Sequence, residues 1–146
     1  MKMEIEEGLE DKVSLLEKQR TESMDYQLGM NFLKLSRDEV IATLPVDSRT
    51  RQPFGLLHGG ASVVLAESLA SCGAWLNIDE SQYAAVGIEI NANHLRAVRS
   101  GQVTGRAVPI RKGKTIQVWE IDIRDEKKRR VCLSRCTIAV VPINRV

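Results

Sequence analysis

Residues 52–77, QPFGLLHGGASVVLAESLASCGAWLN, decide the fold. A Gly59-Gly60 break runs into a helical pattern over residues 61–76 that is apolar or small on every side, as expected of a helix enclosed by other structure. Its only formal charge is Glu67. An isolated carboxylate in an apolar helix costs several kcal/mol unless it is protonated, hydrogen-bonded or paired. Glu67 therefore asks for a reason, and a catalytic role is one.

Upstream, residues 47–53 are polar and read as a loop that delivers Gln52, Phe54 and Gly55 to the helix start. Residues 26–35 and 39–45 are short apolar and β-tolerant runs split by Ser36-Arg37-Asp38, the pattern of a hairpin, with Pro45 ending its second strand. Leu9, Val13, Leu16 and Arg20 follow helical spacing, which predicts a short amphipathic helix, and residues 1–8 are expected to fray. The chain thus divides into an N-terminal extension with a short helix, 1–24, and one domain, 25–146.

Downstream, four strands are expected over residues 84–98, 101–109, 115–124 and 130–141, separated by breaks short enough for an antiparallel meander. Val86, Ile88, Ile90 and Ala92 share one parity and Glu89, Asn91 and Asn93 the other, so the first set is read as the inner face, continued by His94 and Arg96. In residues 115–124 the alternation slips between Ile116/Val118 and Trp119/Ile121/Ile123, which fits either a bulge or a strand buried on both faces. One buried helix and about six antiparallel strands predict an α+β fold in which the sheet curls around the helix.

Composition narrows the function. At 146 residues the chain fits a single domain, and 21 basic against 19 acidic residues leave +2, too even to predict nucleic-acid binding. Cys72, Cys132 and Cys136 lack CxxC spacing, and the two His do not complete a zinc cluster with them. No metal, redox cofactor or nucleic acid is expected. MKMEIEEGLEDK is acidic without an apolar h-region, and no apolar run reaches membrane-spanning length. The expectation is a soluble, cytoplasmic protein with reduced thiols and no membrane partner.

The runs VDSRTRQPFGLLHGGASVVLAESLAS, VGIEINANHLR and QVWEIDI together resemble the hotdog-fold acyl-CoA thioesterases. Within that family they are most similar to the bacterial 1,4-dihydroxy-2-naphthoyl-CoA hydrolases and the enterobactin-pathway proofreading thioesterases. The likeness spans roughly Tyr26 to the C-terminus. Its specific part is a Gln six positions before His-Gly-Gly, a Glu eight positions after Gly59 and a Ser one turn later. The resemblance implies a hotdog fold, an acyl-CoA substrate, a catalytic carboxylate at Glu67, and a dimer or dimer of dimers.

Thioester hydrolysis needs a carboxylate that attacks the carbonyl or activates water, and donors aimed at the developing oxyanion. A helix N-terminus supplies free N–H groups and positive dipole, so Gly59 is the candidate donor and Gly60 the alternative. Both glycines would also serve as a plain turn into the helix. Eight residues of helix between Gly59 and Glu67 rise about 12 Å, too far for both to act on one carbonyl from the same chain. If both are catalytic, a second subunit supplies one of them, most simply through antiparallel helices about a two-fold axis.

Gln52 and His58 would orient the thioester from the chain opposite Glu67, although a His beside a helix start also caps or packs. Ser71, one turn beyond Glu67, would hold the carboxylate or its water, or serve as a small packing residue. His94 and Arg96 would line the thiol-side tunnel or meet nucleotide phosphates; solvated strand-end residues are an equal account. Lys127–Arg130 is read as a soluble turn or as a rim for coenzyme A phosphates. Cys72 has no neighbour that would activate a thiolate, and no G-x-S-x-G elbow occurs. The expected activity is hydrolysis of an aryl or related acyl-CoA. A non-catalytic acyl-CoA-binding regulator and a hydratase or dehydratase are the alternatives.

Overall fold

The computed structural model describes residues 2–146. Its elements are β1 (Glu4–Ile5), α1 (Glu10–Gln19), α2 (Met24–Gln27), β2 (Asn31–Leu35), β3 (Val40–Pro45), α3 (Gly59–Leu76), β4 (Tyr83–His94), β5 (Gln102–Lys112), β6 (Ile116–Asp125) and β7 (Arg130–Pro142). A 3-10 turn, Arg20–Glu22, joins α1 to α2. The class is α+β, with one 18-residue central helix against one sheet.

The expected curled, all-antiparallel sheet of about six strands is not what forms. Among the described residues the sheet has seven strands in the order β1-β2-β3-β5-β6-β7-β4. Its two outer strands, β1 and β4, do not pair, so it is open. It is also mixed, because β1 runs parallel to β2 with Glu4 opposite Lys34 and Ile5 opposite Leu35. The residues expected to fray are held there: the Glu6 N–H donates to the Leu35 carbonyl at 3.0 Å, and the Glu6 carboxylate accepts from the Arg37 N–H at 2.7 Å. The meander is corrected too. β5, β6 and β7 follow one another, but β4 pairs with β7 and stands at the far edge.

That edge position changes the reading of β4. A bulge between Gly87 and Glu89 shifts its register on β7, and a bulge moves the following side chains to the opposite parity. The inner face is therefore Ala85, Ile90 and Ala92, which pack on the core, while Val86 and Ile88 are 37% and 57% exposed. His94 ends the strand with the parity of Ile90 and Ala92, its ring over the start of α3, and Arg96 lies beyond the strand. In β6 the alternation is unbroken: Gln117, Trp119, Ile121, Ile123 and Asp125 point inward. Gln117 occupies an inner position because its Oε1 accepts from the buried Trp119 indole N–H at 3.0 Å. The extra residue belongs to β5, where the register shifts between Pro109 and Arg111.

The core lies between α3 and the sheet. Leu65, Ala66, Leu69, Ala70 and Ala74 of the helix meet Val40, Ala42, Leu44, Val103, Ile121, Ile123 and Ile138, all buried. Small residues let the helix approach closely: a methyl at Gly73 would stand 2.6 Å from the Trp119 ring.

The N-terminal segment is anchored to this body. Leu9 and Val13 are buried, and the Lys12 ammonium meets the Trp75 carbonyl at 3.1 Å and the Glu80 carboxylate at 2.8 Å. Carbonyls at a helix C-terminus favour such a cation. Arg20 is buried among Asp25 at 3.0 Å, Glu17 at 3.2 Å and the Met30 carbonyl at 2.9 Å. Its guanidinium also stacks 4.7 Å from the Phe32 ring centroid. Among the described residues no helix is long and apolar enough to cross a membrane.

Candidate active site

The loop before α3 is pinned at several points. The Thr50 hydroxyl donates to the Pro45 carbonyl at 2.6 Å, the Thr50 carbonyl accepts from the His58 N–H at 2.8 Å, and the Leu57 N–H reaches the Val98 carbonyl at 2.8 Å. Gln52 starts the tight turn of this loop. Its Oε1 accepts from the Phe54 N–H, which fixes the orientation of the side-chain amide because a backbone N–H can only donate. The Gln52 amino group has no acceptor among the described residues and stays free to donate.

His58 is the N-cap of α3. Its Nδ1 accepts from the Gly60 N–H at 2.8 Å, which places the ring proton on Nε2. This contact separates the two glycines. The Gly60 N–H is consumed by the cap, whereas no acceptor for the Gly59 N–H occurs among the described residues. His94, from the end of β4, stands over the same helix start, where a methyl at Gly59 would lie 2.8 Å from Nε2.

Gln52, Gly59, Ser62, His94 and Arg96 line one open pocket of about 460 Å³. It gathers hydrogen-bond donors at the positive end of a helix and contains no carboxylate. Through Ala97 it adjoins a second hollow, about 240 Å³, lined by Arg99, Lys127 and Arg129 together with the carboxylates of Asp125 and Glu126. Arg129 is paired with Asp125 at 2.7 Å and Arg130 with Asp122 at 2.9 Å, while Lys127 and Lys128 have no ion pair among the described residues.

Glu67 is elsewhere. Two turns along α3, its half-buried carboxylate rests on the edge strand, and a methyl at Gly87 would stand 2.8 Å from Oε1. No hydrogen bond or ion pair engages Glu67 among the described residues. Ser71 opens onto a third pocket of about 380 Å³ with Ser68, Cys72, Trp75 and Ala85. Gly87 escaped the sequence reading, although a glycine inside a strand of Val and Ile is a recognised sign of a bulge or of a close neighbour.

The thiols are poor nucleophiles here. Burial pushes Cys72 up to about 12, and burial with the nearby Glu67 and Glu89 carboxylates pushes Cys136 up to about 12, so both stay protonated near neutrality. Among the described residues no His, Cys, Asp and Glu side chains cluster in a way that would hold a metal ion.

A family model described as the thioesterase superfamily matches residues 54–132. The 1,4-dihydroxy-2-naphthoyl-CoA hydrolase of Escherichia coli is 53% identical over 114 residues, which cover 78% of this chain and 83% of that protein. The proofreading thioesterase EntH of Cronobacter turicensis is 51% identical over 114 residues, covering 78% and 82%. The crystal structure of a mutant thioesterase from Pseudomonas aeruginosa superimposes with a TM-score of 0.85 at 48% identity, covering 89% of this chain and 94% of that one.

Proposed function

This chain belongs to the hotdog-fold thioesterase superfamily, and on that premise we propose that it hydrolyses an aryl or related acyl-CoA to the free acid and coenzyme A, 1,4-dihydroxy-2-naphthoyl-CoA being the leading specific substrate. One observation carries this reading. The free donors of Gly59 and Gln52 share a pocket without a carboxylate, and the unpaired carboxylate of Glu67 lies about 12 Å away along the same helix. Each copy holds two unmatched halves.

A second copy joins them. The free edge of β4 offers unpaired backbone groups beside exposed Val86 and Ile88, the kind of edge that pairs with another strand. Two β4 edges meeting about a two-fold axis would set two α3 helices antiparallel and bring the Glu67 of one protomer towards the Gly59 of its partner. A dimer is then the minimal active unit.

In such a site the Gly59 N–H and the Gln52 amide would hold the thioester oxygen as negative charge develops on it. Glu67 would attack the carbonyl carbon, or take a proton from the water that does. The C–S bond breaks and the thiol sulfur takes up a proton. Where Glu67 itself attacks, water then hydrolyses the Glu67–acyl anhydride and restores the carboxylate; by either route the acyl group leaves as the carboxylic acid. Arg99 and Lys127, at the rim of the hollow beyond Ala97 that also holds Asp125 and Glu126, would meet the phosphates of the coenzyme.

The purified protein, supplied with aryl-CoA and aliphatic acyl-CoA thioesters, should release free thiol, with aryl thioesters preferred. Glu67→Gln should abolish that release. Unchanged turnover in Glu67→Gln would remove Glu67 from the mechanism.

A further inference from the structure

A further hollow, about 280 Å³, lies at the end of α3 away from Gly59. It is bounded by Asn77, Ile78 and Asp79 after the helix, by Tyr83 at the start of β4, by Lys114 in the turn before β6 and by Gln117 of β6. Asn77 lies about 15 Å beyond Glu67 along the helix axis, so this space stands apart from both halves of the thioester site. We propose that it binds a small carboxylate, held by the side-chain amide of Gln117 and the ammonium of Lys114. Such a site would exist whether or not the chain hydrolyses thioesters.

The buried amide comes first. Gln117 is 2% exposed, and its Oε1 accepts from the Trp119 indole N–H at 3.0 Å. An indole N–H can only donate, so the orientation of the amide is fixed and its NH2 group is turned away from Trp119. That NH2 group has no acceptor among the described residues. Among the same residues no side-chain nitrogen or oxygen sealed from solvent lacks a partner, so the group opens on the hollow that Gln117 lines. A buried donor left unmet is costly, and the hollow therefore asks for an acceptor.

Lys114 supplies the charge. It has no ion pair among the described residues, whereas its neighbour Lys112 is committed to Asp38 and to the Asn77 Oδ1 at 3.3 Å. The negative groups at the rim are already engaged. Asp79 accepts from the Ser81 N–H at 3.0 Å and hydroxyl at 2.6 Å through Oδ1, and from the Gln82 amide at 3.0 Å through Oδ2. The last carbonyls of α3 are capped, that of Gly73 by the Asn77 amide at 2.8 Å and that of Ala74 by the Asn77 N–H at 3.1 Å. The polar atoms left unengaged among the described residues are the Gln117 NH2 and the Lys114 ammonium, both donors, with the Tyr83 hydroxyl, which can donate. Ile78 and Val140 add an apolar wall. A space just below the usual range of ligand pockets, about 300–1,000 Å³, suits a compact acid of the size of benzoate.

Sodium benzoate, titrated into the nitrogen-labelled full chain, should shift the NMR signals of the Gln117 NH2 and the Trp119 indole N–H to saturation. Sodium chloride at equal ionic strength and uncharged benzamide should not. Lys114→Met, at an exposed position, should weaken the binding about threefold. Gln117→Met, which removes the donor at similar volume, should weaken it at least about tenfold. Lys114 lines neither the pocket at Gly59 nor the one at Ser71, so its variant distinguishes this site from those and keeps the test alive if Gln117→Met does not fold. Signals that stay in place with benzoate, signals that move equally with benzamide, or a wild-type affinity in Lys114→Met would each overturn the proposal and leave the amide to water.

Discussion

The Glu67 carboxylate is seated on the backbone of Gly87, so closely that a methyl at Gly87 would stand 2.8 Å from Oε1. The seat is a glycine beside a bulge on the free edge of the sheet. It places an unpaired carboxylate where a second copy of the strand would dock.

Gly87→Ala should therefore act on catalysis more than on stability. The clashing atom ends a flexible side chain, so the fold can yield, but the carboxylate must move by a large part of an ångström. A displacement of that order costs about 10²-fold in rate. The kcat/KM should drop by about that factor while the urea midpoint changes little; a full-rate Gly87→Ala would show that the seat is irrelevant.

Gln52→Glu separates the two jobs of that side chain. A carboxylate still accepts from the Phe54 N–H and keeps the turn, but it has no hydrogen to offer an oxyanion. Losing one such donor costs about 10²–10³-fold in kcat, and the thermal midpoint should hold. Retained kcat would confine Gln52 to the turn.

His58 can be divided in the same way. Asn is among the best N-caps, and removing a cap costs about 1 kcal/mol. Stability should thus fall in His58→Ala and recover in His58→Asn. If His58 also orients the thioester, turnover stays low in both; turnover that recovers with stability would make His58 a cap and nothing more.

Acid should loosen the loop that carries Gln52. Hydrogen bonds from the Arg49 side chain and then its N–H lower Asp47 from 3.8 to about 2. A carboxylate held below its ordinary value stabilises the fold at higher pH and loses that contribution as pH falls through the folded value. The urea midpoint of the native protein should consequently fall between about pH 4 and pH 2 more steeply than that of Asp47→Asn. Parallel pH curves would deny Asp47 this role.

The central helix was legible because its burial is written in its composition, and Glu67 stood out there as a lone charge. The separation of Gly59 from Glu67 followed from helix geometry alone. Strand existence was legible in the apolar runs, but their order was not: β4 is followed in sequence by β5 yet pairs with β7, a choice set by tertiary packing. The parity of Val86 and Ile88 misled because an extra residue at the bulge leaves no mark in a simple alternation. Glu4 and Ile5 were missed because two residues are too few to show any period, and their strand depends on pairing with the distant Lys34 and Leu35. The cap on Gly60 was equally invisible, since His58 beside a helix start reads alike as a cap or a catalytic group.

The shared site is tested most directly by mixing two inactive variants. Gln52→Glu and Glu67→Gln, co-expressed and purified together, form hybrid dimers in which one of the two sites regains both halves. Random pairing restores about a quarter of wild-type turnover with an aryl-CoA thioester, although each variant alone is nearly inactive. A mixture no more active than its parents would contradict a site built across two chains.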